Sequence, residues 1–282
     1  GFAARSINAL VPDLLPVFAP ALPLGVSFYV FTAIGYLADV SCGKVAAARS
    51  PFRFFVFLAF FGHGPSGPIV RYDQQLPCLD AKAAERQVSL DRFCYGIKRF
   101  VLGLAKKAII ADQLALIYSR VTSVPAATVP APALVLGYLA YMMQLYFDFS
   151  GYSDMAIGIG SFFGLELPEN FNYPYLSCSV GEYWRRWHIS LSGWFRDYVY
   201  IPLGGSRCSL AKNCRNLLIV FLLTGLWHGA AWQYVAFGLL HGVLLCLERL
   251  GLANSWQQEI YTIVEEAQRK GLKAAEAGMT KS

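Results

Sequence analysis

Charged side chains are scarce in this chain. They make up 15% of its 282 residues, and 56% of the residues are hydrophobic. A soluble domain usually carries about 25% charged residues, so the composition argues against one. It favours a polytopic membrane protein, and the aromatic content of 15% agrees, because Trp and Tyr concentrate where lipid meets water.

Several signatures of catalytic and structural sites are also missing. The sequence has no H-E-x-x-H and no G-x-S-x-G, which argues against a zinc protease and a serine hydrolase. Its seven cysteines are odd in number and form no C-x-x-C, so neither a disulfide framework nor a zinc site is expected. Residues 1–10 lack the basic and apolar regions of a signal peptide.

The net charge of +6 does not indicate nucleic-acid binding. Basic residues occur in short clusters between apolar stretches, and such loops set the orientation of membrane proteins and usually face the cytoplasm. The clusters comprise Arg49 and Arg53, Lys98 and Arg99, Lys106 and Lys107, Arg185, Arg186 and Arg196, and Arg207, Lys212 and Arg215.

Three long apolar stretches predict helices. We expect a helix from about Leu24 to Ala38 and a membrane span over 133–149. The segment 217–247 is long enough for one tilted helix, or for two shorter pieces that meet near Trp227 to Gly229.

Other segments combine helical and membrane features less simply. Residues 93–118 have helical periodicity but carry four basic residues, which predicts a partly buried or an interfacial helix. The Gly/Pro-rich stretch 62–68 predicts a re-entrant turn or an interfacial loop. Gly160 and Gly164, four residues apart, predict close helix contact.

Two of the four histidines lie in aromatic frames. His188 ends the run Glu182-Tyr-Trp-Arg-Arg-Trp-His188, and His228 follows Thr224-Gly-Leu-Trp. An ionisable group inside a membrane segment is costly, so both histidines are candidate functional residues. His63 and His241 are better explained as structural histidines.

The first frame predicts a helix beginning near Val180, because Ser179 and Glu182 have the spacing of a capping box. Trp184, Trp187, His188, Leu191, Phe195 and Tyr198 then share one face of an interfacial helix. Arg185, Arg186 and Arg196 would bind either lipid headgroups or a phosphorylated ligand, and the sequence leaves both open.

The second frame, around His228, contains almost no charged residues. Burial disfavours imidazolium, so we expect His228 to be neutral at pH 7 and able to accept a proton from a hydroxyl. Thr224, four residues earlier, would hydrogen-bond the ring and fix its tautomer. Gly225 and Gly229 would leave space for a substrate.

Several long motifs carry a resemblance to a known family. They are Leu22 to Phe28, Gly67 to Tyr72, Tyr146 to Gly158, Pro168 to Pro174, Tyr183 to Ser192, Trp194 to Gly205 and Thr224 to Gly229. Through them the chain resembles the membrane-bound O-acyltransferases, and most of all the bacterial branch that O-acetylates alginate and other exopolysaccharides.

The resemblance implies an all-α, polytopic transmembrane helical bundle with interfacial and re-entrant helices, in a bacterial inner membrane. It implies that His228 is catalytic and that His188 is a second active-site group. Substrate or donor binding is expected of Trp184, Arg185, Arg186, Trp187, Arg196, Trp227 and Thr224. The residues themselves suggest general base catalysis, although a covalent acyl-histidine intermediate stays open.

The same resemblance implies the reactants. The donor would be a cytoplasmic acyl thioester, acetyl-coenzyme A, used as a co-substrate without a bound cofactor. The acceptor would be a polysaccharide hydroxyl, reached through periplasmic partner proteins. A sister branch transfers D-alanine to teichoic acid and is the alternative.

Family members are longer, so the resemblance also implies a fragment or a natural truncation. Residues 1–250 would form an incomplete membrane-embedded acyltransferase core, and residues 251–282 would form a soluble helical tail. A non-catalytic scaffold or transporter fragment is the remaining alternative, since glycine and proline interrupt the apolar segments.

Overall fold

The protein is mostly helical wherever its structure is described. The structure is a computed structural model and describes residues 2–11, 14, 25–48, 50–60, 64, 66–75, 89–125 and 128–252. None of these residues lies in a β-strand, which confirms the all-α class. Within the same ranges, no helix combines the length and apolar character that a bilayer crossing requires.

The helices follow one another along the chain with short connections. They are α1 (Phe2–Asn8), α2 (Val26–Ser41), α3 (Pro51–Leu58), α4 (Leu90–Ala105), α5 (Asp112–Thr122), α6 (Ala131–Phe162), α7 (Val180–Arg186), α8 (Ile189–Phe195), α9 (Leu210–His228) and α10 (Trp232–Arg249). The π-helical segment Lys106–Ala111 joins α4 to α5, and a second one, Arg196–Tyr200, follows α8.

The chain divides into two compact units, each described here by itself. The first unit holds the described residues of 22–171 and 188–194, and so includes α2 to α6 and most of α8. The second unit holds those of 1–21, 172–187 and 195–282, and so includes α7, α9 and α10. The chain passes from one unit to the other at four places, one of them between Trp187 and His188.

In the first unit, α4 lies antiparallel to α6 across two glycine contacts. A Cβ on Gly158 would lie 2.6 Å from the Gly96 carbonyl oxygen, and one on Gly103 would lie 2.5 Å from the Gly151 oxygen. Each helix thus presents two glycines seven residues apart. Only glycine lets the two backbones come this close.

Ion pairs lie along the same helix contact. Asp154 of α6 bonds Lys106 at 2.6 Å and Arg99 at 2.7 Å, while Asp148 bonds Lys107 at 2.9 Å. The π-helical segment carries both of these lysines. Three of the four basic residues that make 93–118 too polar for a lone span therefore pair with carboxylates of α6, which supports the partly buried alternative.

In the second unit, α9 and α10 form a hairpin. They are joined at Gly229–Ala231, which confirms two helices rather than one within 217–247. A Cβ on Gly238 would lie 2.3 Å from the Phe221 carbonyl oxygen, so this crossing too requires glycine. The N-terminus of α7 joins the hairpin through Gly181, whose backbone N–H donates to Glu248 at 2.9 Å.

Two expectations about local structure are wrong. Gly164 does not pack between helices; it ends α6 with a φ of 72°, and the N–H of Leu165 returns to the Gly160 carbonyl. This is a left-handed glycine cap. The continuous helix expected through His188 is also absent, because α7 ends at Arg186 and α8 begins at Ile189.

Some predicted features lie outside the described residues. These are the start of the first helix at Leu24, His63 within the Gly/Pro turn, and the tail from residue 253 onward. The later part of the first helix is confirmed by α2, which extends three residues beyond Ala38.

Candidate functional site

His188 stands in the break between α7 and α8. Its φ is 44°, a left-handed conformation that a residue with a side chain rarely adopts. The preceding Trp187 is extended, so α7 cannot continue. His188 is only 2% exposed. Such strain persists only where surrounding contacts hold it in place.

Asn170 supplies several of those contacts. Its side-chain oxygen Oδ1 lies 3.1 Å from His188 Nδ1 and 3.1 Å from the Ser190 backbone nitrogen. Its backbone carbonyl accepts from the N–H of Ile189 at 2.9 Å. Asn170 is completely buried. One residue thus binds three consecutive residues of the break.

The network extends beyond Asn170 within the first unit. The Ser190 hydroxyl donates to Asn170 Oδ1 at 2.9 Å and accepts from the Ile69 N–H at 3.0 Å. Asn170 Nδ2 donates to Ser153 of α6 at 3.3 Å. On α6, Phe149 meets the His188 ring edge-on at a centroid distance of 4.8 Å.

His228 is the last residue of α9, in the second unit. The residue is exposed at the end of the helix, but desolvation of the ring lowers the pKa of the imidazole, the direction expected from the sequence. Its ring contacts Trp227 at a centroid distance of 4.7 Å and Phe237 at 5.6 Å, and it stacks with Tyr234 at 6.4 Å. The aromatic frame expected from the sequence is therefore present, with two rings supplied by α10.

The roles expected of the small residues around His228 are wrong. The Thr224 hydroxyl donates to the Val220 carbonyl at 2.9 Å and not to the imidazole. The space beside Gly225 and Gly229 is filled by Tyr234. A Cβ on either glycine would lie 2.3 Å from that residue, at its carbonyl oxygen or at its ring. These glycines serve the helix hairpin.

His241 and Trp184 form a second aromatic group in this unit. His241 Nδ1 lies 2.9 Å from the Phe237 carbonyl oxygen, so the ring is held as a structural histidine. Trp184 meets His241 edge-on at a centroid distance of 5.1 Å and Phe221 at 5.0 Å. Phe237 contacts both histidines of the unit, at 5.6 Å for His228 and 4.4 Å for His241.

The N-terminal cap of α7 differs in one bond from the expected capping box. The Ser179 hydroxyl accepts from the Glu182 N–H at 3.1 Å, as expected. The Glu182 carboxylate, however, accepts from the N–H of Cys178 rather than of Ser179. This bond, followed by the neighbouring Arg186, lowers the pKa of the Glu182 carboxyl.

The arginines differ in what they bind. Arg186 pairs with Glu182 at 2.7 Å, and Arg196 pairs with its neighbour Asp197 at 2.7 Å. Arg185 is exposed and forms no ion pair with any residue in the described ranges. Trp187 stacks on Tyr183 at a centroid distance of 5.7 Å.

Comparison with known sequences decides the family. The profile of "MBOAT, membrane-bound O-acyltransferase family" matches residues 47–258, about three quarters of the chain. The chain belongs to this family. Both histidine frames lie within the matched region.

Curated relatives of this chain carry names of related activities. A probable alginate O-acetylase from Azotobacter vinelandii is 45% identical over 88% of this chain. A peptidoglycan O-acetyltransferase from Helicobacter pylori is 38% identical over 81%, and a teichoic acid D-alanyltransferase from Bacillus subtilis is 33% identical over 79%. These matches cover 49%, 47% and 58% of the relatives, so the chain spans about half their length.

The structure separates the predicted site residues into two groups. His188 belongs to the first unit. The other site residues, Trp184, Arg185, Arg186, Trp187, Arg196, Thr224, Trp227 and His228, belong to the second. The sequence assigned no role to Asn170, although it lies inside the Pro168 to Pro174 motif. It gave none to Phe237 either, which lies nine residues beyond His228.

Proposed function

We propose that the protein transfers an acetyl group from a thioester donor to hydroxyls of an extracytoplasmic polysaccharide. The supporting observation is the ranking of its relatives. Identity is 45% with the alginate O-acetylase and 38% with the peptidoglycan O-acetyltransferase, but 33% with the teichoic acid D-alanyltransferase. Acetyl transfer is therefore favoured over D-alanyl transfer.

His228 is the general base in this proposal. It removes the proton from the acceptor hydroxyl as the oxygen attacks the thioester carbonyl. When the carbon–sulfur bond breaks, the thiolate of the donor leaves and takes this proton from the imidazolium. Desolvation of the ring lowers the pKa of His228, which favours the neutral imidazole that this role demands. General base catalysis typically contributes about 100- to 10,000-fold.

His188 orients or polarises one reactant, or stabilises the oxyanion. Three tryptophans, Trp184, Trp187 and Trp227, contact the donor or the acceptor. Arg185 binds the phosphates of acetyl-coenzyme A. Because Thr224 bonds Val220 and the other arginines have carboxylate partners, Arg185 is the strongest candidate for donor binding.

We further propose that residues 1–250 belong to a membrane-embedded core in a bacterial inner membrane and that residues 251–282 form a soluble tail. The support is the apolar composition and the family. Periplasmic partner proteins would carry the acetyl group to the polysaccharide. Extraction of the membrane-bound protein by alkaline carbonate would contradict the embedded core.

The decisive experiment compares acetyl transfer by membranes containing the complete protein with transfer by the His228→Ala variant. We expect loss of transfer in this variant. The His241→Ala variant is the matched control, because His241 lies in the same unit, also contacts Phe237 and has a structural hydrogen bond. It should retain activity.

The outcomes separate the alternatives. Near-normal transfer by a folded and inserted His228→Ala protein would contradict the assignment of the base. Transfer of D-alanine from a carrier-protein thioester, without transfer from acetyl-coenzyme A, would select the sister activity. Polysaccharide export without any transfer would indicate a transporter.

A further inference from the structure

We infer that Asn170 is a positioning residue that keeps neutral His188 in one tautomer, with the proton on Nδ1 and the lone pair on Nε2. The inference rests on the proposed function for its catalytic meaning. The tautomer itself follows from the hydrogen bonds around Asn170.

The orientation of the Asn170 amide is fixed by a neighbour that can only donate. The Ser190 backbone N–H lies 3.1 Å from one terminal atom of the side chain, so that atom is the carbonyl oxygen Oδ1. The other terminal atom, Nδ2, faces the Ser153 hydroxyl at 3.3 Å. The Ser190 hydroxyl accepts from the Ile69 N–H and can therefore direct its own proton to Oδ1.

His188 must then donate to this oxygen. Its Nδ1 lies 3.1 Å from Oδ1, and an amide oxygen can only accept, so the proton resides on Nδ1. A neutral imidazole carries a single N–H, which leaves the lone pair on Nε2. The protonation of one ring nitrogen is thus set by the bond at the other.

This tautomer selects among the roles proposed for His188. Neutral His188 cannot donate a hydrogen bond from Nε2, so it does not stabilise an oxyanion in that state. It accepts a hydrogen bond, as from the hydroxyl of the acceptor. Asn170 also bonds Ile189 and Ser190, so it holds the strained backbone and the ring together.

Nitrogen-15 NMR of the complete protein, labelled at histidine, tests the tautomer directly. The His188 signals are assigned by their absence from the His188→Gln protein. We expect a protonated Nδ1 and an unprotonated Nε2 in the wild type at pH above 7. A proton on Nε2 in the wild type would overturn the inference without the need for any variant at Asn170.

Variants test the role in catalysis. Asn170→Leu removes the acceptor and should lower kcat by about 100-fold with little change in donor KM, since small misplacement of a reacting group has effects of this size. Asn170→Asp keeps an oxygen facing Nδ1, so the proton should stay on Nδ1, and kcat should recover at high pH, where the imidazole beside the new carboxylate is neutral. Ser153→Ala removes only the partner of Nδ2 and should change neither.

The two proposals fail in different ways. If wild-type protein lacks acetyl transfer, the proposed function fails while the NMR result still decides the tautomer. If wild-type protein is active but Asn170→Leu keeps normal His188 signals and kcat, the positioning role is wrong and the proposed function stands. Unchanged kcat in Asn170→Leu despite an altered tautomer would also refute the catalytic role.

Discussion

At the scale of single residues, neighbouring side chains of the same type differ in what they already bind. Arg186 neutralises Glu182, and Arg196 neutralises Asp197, whereas Arg185 lacks an ion pair within the described ranges. His241 bonds a backbone carbonyl, whereas His228 is exposed at a helix end. Existing partners therefore distinguish structural residues from residues available to a ligand.

We predict that Arg185→Gln raises the donor KM about tenfold with little change in kcat, because a hydrogen bond to a charged group is worth about 1.5–3 kcal/mol. Arg196→Gln is the control and should raise it far less, since Arg196 already pairs with Asp197. The measurement is steady-state kinetics with varied acetyl-coenzyme A. Equal KM values for wild type and both variants would favour headgroup anchoring instead.

The lowered pKa of Glu182 predicts that the stability of the protein depends on pH. The N–H of Cys178 and then Arg186 lower its pKa in the folded state, so its stabilisation is present above the unfolded pKa of about 4.3 and is lost as pH falls through the folded pKa. Glu182→Gln should therefore be less stable than wild type at pH 6, with the difference shrinking at pH 3. Thermal unfolding in detergent at both pH values tests this, and a constant difference would contradict it.

At the scale of helices, glycine decides which pairs meet. The contact between α4 and α6 places glycine against glycine at two levels, and the α9–α10 hairpin uses Gly225 and Gly238 in the same way. Ion pairs then fasten α4 and the π-helical segment to the carboxylates of α6. In this way α6 is held where its Ser153 reaches Asn170.

Gly158→Ala should destabilise the protein by about 1–3 kcal/mol, the usual cost of overpacking. The new methyl would lie 2.6 Å from the Gly96 carbonyl oxygen, and a backbone atom cannot move aside cheaply. Gly193→Ala is the matched control, because its Cβ would meet only Arg71 Nη2 at 3.6 Å. Thermal unfolding measures both, and equal melting temperatures would refute the close approach.

At the scale of the whole molecule, charge pairs connect segments distant in the sequence. Asp154 bonds Arg99 and Lys106. Arg99 also bonds Glu169, which precedes Asn170 in the chain. Within the first unit, the network therefore connects α4 and α6 to Glu169. The next residue, Asn170, is the hydrogen-bond partner of His188.

Asp154→Asn should lower the free energy of unfolding by about 3 kcal/mol, since loss of one member of a buried ion pair leaves the others uncompensated. The Asp154 side chain is only 9% exposed. Glu166→Gln is the control: Glu166 pairs with Arg92 but is 80% exposed, so the change should stay below about 1 kcal/mol. Denaturant unfolding distinguishes them, and similar losses for both would contradict a buried network.

Local sequence signals, such as helix caps and apolar runs, predicted much of the fold. The Ser179 cap predicted the start of α7, and the apolar run 217–247 allowed the two helices that occur. The same signals failed at His188, where helical spacing continued but the helix did not. They also failed at Thr224, which bonds the Val220 carbonyl, and at Gly225 and Gly229, which pack against Tyr234.

The sequence by itself determined the helical class, the family and the two histidine frames, because composition, caps and motifs depend on residues close together in the chain. Only the tertiary structure decided which groups those histidines meet. Asn170 lies 18 residues before His188, and Ile69 lies 121 residues before Ser190. Hydrogen bonds between such distant residues form only after the helices pack, so no local pattern assigns the tautomer of His188.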